Sequence, residues 1–109
     1  MFLIQKKNKP YEVIYKDVLN AYFKYLRNNN LSLSPKGMSE MLRYSLCEVL
    51  SLDTIYADIY IKNNSYIFIQ QLKRIMNTHN VLNKSKEYRQ GLLEACVHCI
   101  EMSRKKAGY

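Results

Sequence analysis

The sequence predicts an all-α fold: a bundle of about five helices containing a divergent helix-turn-helix, with the first eight residues left open as a short strand or a loose arm. Three observations carry this. Apolar residues recur every three to four positions over most of the 109 residues, the period of a helix with one buried face. Only three glycines and two prolines interrupt the chain, so few turns are expected. Cap-forming residues stand just ahead of the periodic runs, as at Ser34-Pro35 and Asn63-Asn64-Ser65, where a side-chain acceptor can satisfy the free N–H groups of a first helical turn. The length suits one core and one domain, 1–109.

The first helix is expected from Pro10 or Tyr11, proline being suited to an opening turn, to about Arg27, with Ile14, Val18, Tyr22, Tyr25 and Leu26 inward. Asn28-Asn29-Asn30 should end it, asparagine accepting the left-handed conformation that closes helices. Ser34-Pro35 opens the second, which buries Met38, Met41, Leu42, Leu46, Val49 and Leu50 and ends near Ser51. A short third helix, capped by Ser51 or Asp53, would carry Ile55, Tyr56 and Ile59, although Ile59-Tyr60-Ile61 is β-branched enough to be extended. The fourth is expected from the Asn63-Asn64-Ser65 trio to about Thr78, burying Phe68, Ile69, Leu72, Ile75 and Met76. The last runs from near Ser85 to Lys106 with Tyr88, Leu92, Cys96, Cys99 and Ile100 inward, and Arg104, Lys105 and Lys106 complementing the negative end of its dipole. Gly91 in its interior costs about 1 kcal/mol against alanine, which points to a close helix crossing there.

Composition bounds the function. Seventeen Lys and Arg against nine Asp and Glu give a formal charge of +8, favouring anionic partners. The opening Met1-Phe2-Leu3-Ile4 is shorter than the ~7–15 apolar residues of a signal peptide, so export is not expected. No segment approaches the ~18–20 apolar residues of a membrane span. Three cysteines, an odd number with two on one helix, read as reduced thiols and a cytoplasmic protein.

The sharpest feature is that residues 59–86 hold no Asp or Glu while carrying Lys62, Lys73, Arg74, Lys84 and Lys86, a surface that a phosphate backbone can approach without repulsion. A helix-turn-helix needs apolar residues where its two helices cross, and Ile55, Ile59, Ile61, Tyr66 and Ile69 meet that need. Tyr56 and Tyr60 stand where a small residue and a glycine are usual. At about 100° per residue, Tyr66, Gln70, Lys73, Arg74 and Asn77 share the face opposite the core stripe. Gln and Asn can pair with adenine edges, Arg with guanine or phosphate, Lys with phosphate, and Tyr can donate to a phosphate.

The run Tyr60-Ile61-Lys62-Asn63-Asn64-Ser65-Tyr66, followed by Leu72-Lys73-Arg74-Ile75, resembles the recognition-helix region of the PapB-type transcriptional regulators of bacterial adhesin operons. Met38-Ser39-Glu40-Met41 is similar to a segment those proteins carry upstream, although they space the two segments further apart. The resemblance spans about a quarter of the chain. It implies a small, oligomer-forming regulator with Asn63, Asn64, Tyr66, Lys73 and Arg74 at the matching positions; Ser65, within the same run, is counted with the candidate DNA contacts.

Other constellations have simpler readings. Cys96 and Cys99 share a helix face, but His98 points elsewhere and a fourth zinc ligand is wanting, so all three cysteines read as small buried thiols. No nucleophile, paired carboxylate or glycine-rich phosphate loop is spaced for catalysis, and no cofactor is called for. Tyr11, Tyr15, Tyr22 and Tyr25 crowd the first helix, as half-buried core residues or as an interface. The expected function is therefore a non-enzymatic, double-stranded-DNA-binding regulator, with dimerisation placing two recognition helices about 34 Å apart. The alternative is a small protein-binding modulator of phage or plasmid origin acting on a nucleic-acid-handling protein.

Overall fold

A computed structural model describes residues 2–106, with side chains from Tyr11 to Lys106. Four helices form: α1 (Phe2–Asn28), α2 (Pro35–Leu50), α3 (Ile59–Thr78) and α4 (Lys86–Lys106), with a single 3₁₀ turn at Val81–Asn83 before α4. No strand occurs among the described residues. The all-α class stands, with four helices rather than five. None is long and apolar enough to cross a membrane.

Each of α1 and α2 packs on both α3 and α4, and the apolar stripes meet in one core. Val18 and Tyr22 of α1, Met41, Leu42 and Leu46 of α2, Phe68 and Leu72 of α3, and Leu92, Cys96 and Ile100 of α4 are fully enclosed. These are the inward positions that the periodicity marks. Phe68 lies between the rings of Tyr22 and Tyr25, with centroids 5.6 and 5.7 Å away.

The departures from expectation lie mostly at helix ends. The segment left open as strand or arm is helical backbone from Phe2, as expected once a nucleated helix adds one hydrogen bond per further residue. The asparagines close α1 differently from the left-handed device: the left-handed non-glycine residues are Ser51 and Asn80. Instead, the Tyr25 carbonyl accepts both the backbone N–H and the side-chain amide of Asn29, each at 3.0 Å. At the start of α2, Ser34 Oγ accepts from Gly37 N at 3.1 Å, with Pro35 in the opening turn.

The short helix expected around 55–59 does not form. Residues 52–58 are an irregular connection in which Leu52 and Ala57 are buried while Asp53, Thr54 and Tyr56 face solvent. An isolated helix of that length has no stability of its own, and the irregular path seats two apolar side chains in the core. With it goes the helix-turn-helix expected over residues 51–77, since no helix forms between α2 and α3. The long helix also begins earlier than expected. Asp58 is its N-cap, Oδ1 accepting from Ile61 N at 2.8 Å, so Ile59-Tyr60-Ile61 is a helical turn. A cap contributes about 1 kcal/mol, more than the few tenths by which β-branched residues disfavour a helix.

Long-range polar contacts lock the ends together. Arg89 of α4 donates through Nη1 to the carbonyls of Leu50 (2.6 Å) and Ser51 (3.2 Å), capping α2 where Ser51 turns left-handed. Arg104, one of the three cations in the last turn of α4, is turned inward. Its guanidinium donates to the Pro35 carbonyl (3.0 Å) and Ser39 Oγ (2.9 Å), with Glu101 beside it. The buried Tyr22 and Tyr25 likewise donate to protein carbonyls, of Met38 and Asn64.

Gly91 fits the close crossing expected of it. A Cβ there would lie 2.5 Å from Tyr11 Oη and 3.3 Å from Cζ, and the Tyr11 ring is held edge-on to Tyr88. Gly91→Ala should therefore destabilise the parent, overpacking of about 1–3 kcal/mol exceeding the ~1 kcal/mol gain in helix propensity. In a Tyr11→Ala background the same change should stabilise. A double-mutant cycle by urea unfolding checks this, and additive effects would contradict the contact.

Burial also sets an alkaline limit. Desolvation, with a smaller contribution from Cys99, pushes the Cys96 thiol up to about 12 from 9.0. Desolvation pushes the Tyr22 phenol up to about 12 from 10.0, Arg104 lowering it and Glu101 raising it less. Both groups hold their protons more tightly when folded, so their contribution to stability is complete below the unfolded values and is lost as pH climbs through them toward 12. Stability should fall above about pH 9 by about 1.4 kcal/mol per pH unit for each group that ionises on unfolding. Urea midpoints at about pH 8 and about pH 11 test this, and Cys96→Ala should flatten the decline.

Candidate nucleic-acid interface

α3 is two-sided. Ile61, Ser65, Phe68, Leu72 and Met76 face the core, and at about 100° per residue the opposite sector carries Ile59, Lys62, Asn63, Tyr66, Gln70, Lys73, Arg74 and Asn77. Of these, Ile59, Lys62, Asn63, Tyr66, Lys73, Arg74 and Asn77 are exposed and Gln70 is half-buried. The structure thus brings Tyr66, Gln70, Lys73, Arg74 and Asn77 onto one surface, joined by Asn63.

Two of the sequence-predicted contacts leave that surface. Ser65 is fully buried, and its hydroxyl donates to the Ile61 carbonyl at 2.6 Å. It is nearly two turns into the helix rather than at its start, because the cap is Asp58, and so falls on the core side. Asn64 is half-buried at the flank, where its amide donates to the Tyr60 carbonyl at 2.8 Å and its own carbonyl accepts the Tyr25 hydroxyl. Both are structural residues of α3.

The cations of this face are uncompensated. Ion pairs among the described residues join Lys16 to Glu12, Arg43 to Glu94, His79 to Asp17 and Arg104 to Glu101. Lys62, Lys73 and Arg74 are in none of them. The His79–Asp17 contact, 2.9 Å, ties the end of α3 to α1, so the acid-free stretch keeps its one imidazole engaged away from the outer face. Asp58 borders the face at its N-terminal edge, one carboxylate oxygen occupied by the Ile61 amide.

Sequence reasoning missed the apolar part of the surface. Ile59 is 76% exposed, Tyr66 66% and Ile67 53%, and Tyr56 in the preceding connection is 87% exposed. Tyr60 borders them, its hydroxyl accepting from Ser32 N at 3.1 Å. The i, i+7, i+14 series Ile59, Tyr66, Lys73 is visible in the sequence but defines a ridge only once α3 starts at Asp58.

Two concavities lie elsewhere. One of about 540 Å³ opens beside Phe23, Leu26, Arg27 and Leu33; another of about 610 Å³ lies between α1 and α4, beside Tyr11, Tyr15, His98 and Cys99. Cys47 and Cys96 are buried and Cys99 is half-buried. Among the described residues no three His, Cys, Asp or Glu side chains are grouped to hold a metal ion. No family model, curated protein or solved structure matches the chain.

Proposed function

We propose that this chain is a non-enzymatic DNA-binding protein, a small cytoplasmic regulator that uses the outer face of α3. The observation that carries the reading is the set of exposed, unpaired cations Lys62, Lys73 and Arg74 interleaved with Asn63, Tyr66, Gln70 and Asn77. Cations without local carboxylates exchange condensed counterions for protein contacts, and the interleaved amides and phenol orient the strand. The likeness of residues 60–66 and 72–75 to PapB-type regulators supports the same face. Docking would not follow the helix-turn-helix geometry expected over residues 51–77, since an irregular connection stands where its first helix was expected. A homodimer would present two copies of α3.

A gel-shift titration at about 50 and about 200 mM salt tests the reading, with affinity expected to fall steeply at the higher concentration. Binding by Lys73→Ala plus Arg74→Ala that equals the parent would sink it. The exposed Ile59, Ile67 and Tyr56 favour a second reading, a modulator that seats this face on an acidic protein surface. Recovery of no protein partner from native cells would count against that alternative.

A further inference from the structure

We infer that the outer face of α3 takes nucleic-acid strands whose bases are unpaired, in preference to a fully paired duplex; the inference rests on the DNA-binding reading and specifies its ligand. In a duplex the bases are stacked and offer a protein only their edges, which polar side chains read. Unpaired bases offer their faces, and aromatic rings beside a cationic track are what bind them. Tyr56 and Tyr66 are exposed and Tyr60 partly so, and Tyr66 stands one turn beyond Lys62 on the same side of α3, with Lys73 and Arg74 further along the helix. From Lys62 to Arg74 the track runs about 18 Å at 1.5 Å per residue, enough for several nucleotides. Phosphate contacts and edge reading use at most the Tyr66 hydroxyl, and leave the faces of these rings and the exposed Ile59 and Ile67 without a use. Stacked base faces use both. A second copy of the chain is a poorer occupant, because Lys62, Lys73 and Arg74 would then face like charge.

Fluorescence anisotropy with a labelled short oligothymidine and with a duplex of equal length separates the outcomes. The single strand should bind at least about tenfold more tightly than the duplex, and Tyr56→Ala plus Tyr66→Ala should weaken it about tenfold or more while leaving the salt slope unchanged. Tyr66→Phe, which keeps the ring, should bind like the parent. Equal or tighter binding of the duplex overturns the inference and leaves the DNA reading standing. Single-strand binding that is indifferent to loss of both rings also overturns it. Binding of neither probe overturns both readings. All substituted residues are solvent-exposed, and matching urea midpoints confirm that the variants are folded.

Discussion

Phe68→Ala is expected to lower the stability of the fold by about 3–5 kcal/mol, a large part of the ~5–15 kcal/mol that holds a domain of this size together. The ring is completely enclosed, and it is where α1 and α3 meet, in contact with Tyr22 and Tyr25. Truncation removes the transfer free energy of the ring and both aromatic contacts. The phenols cannot collapse into the space, since their hydroxyls are bound to the Met38 and Asn64 carbonyls. In urea the midpoint should drop sharply with little change in slope. A loss below about 1 kcal/mol would contradict the packing described for α3.

The opposite face of the same helix should respond in the opposite manner. Lys73→Ala plus Arg74→Ala should leave stability within about 0.5 kcal/mol, both side chains being exposed and without ion pairs. Its effect should be on DNA. Each lost charge-assisted contact is worth about 1.5–3 kcal/mol, so affinity should fall by at least an order of magnitude for each cation. The slope of log affinity against log salt should flatten by about 2. Weakened binding with an unchanged slope would mean that these cations do not touch phosphate. The pair of experiments thus distinguishes a helix that only supports the core from one that also presents a ligand surface.

What could be read from the sequence follows from what periodicity encodes. The 3.6-residue spacing of Ile14, Val18, Tyr22 and Tyr25, or of Leu92, Cys96 and Ile100, fixes an inward face whatever lies across from it. Those residues are buried. Ser34-Pro35 was legible because cap and first-turn proline agree. The start of α3 was not, since Ser51, Asp53 and Asp58 are all competent caps and the choice rests on where Leu52 and Ala57 find the core. That choice also turned Ser65 inward and Asn64 to the flank. The inward turn of Arg104 depends on the neighbouring start of α2, a tertiary partner that no local pattern reveals.

The pairing of α1 with α4 has a consequence for the order in which the molecule assembles. Tyr11 and Tyr88 meet across 77 positions of chain, and Leu92, Cys96 and Ile100 enclose the side of the core that α1 and α2 share. During synthesis the first three helices can emerge and associate, but their apolar surfaces stay wet until α4 leaves the ribosome. Completion is therefore a late, long-range closure, and a chain arrested before residue 86 would be a sticky intermediate in need of a chaperone.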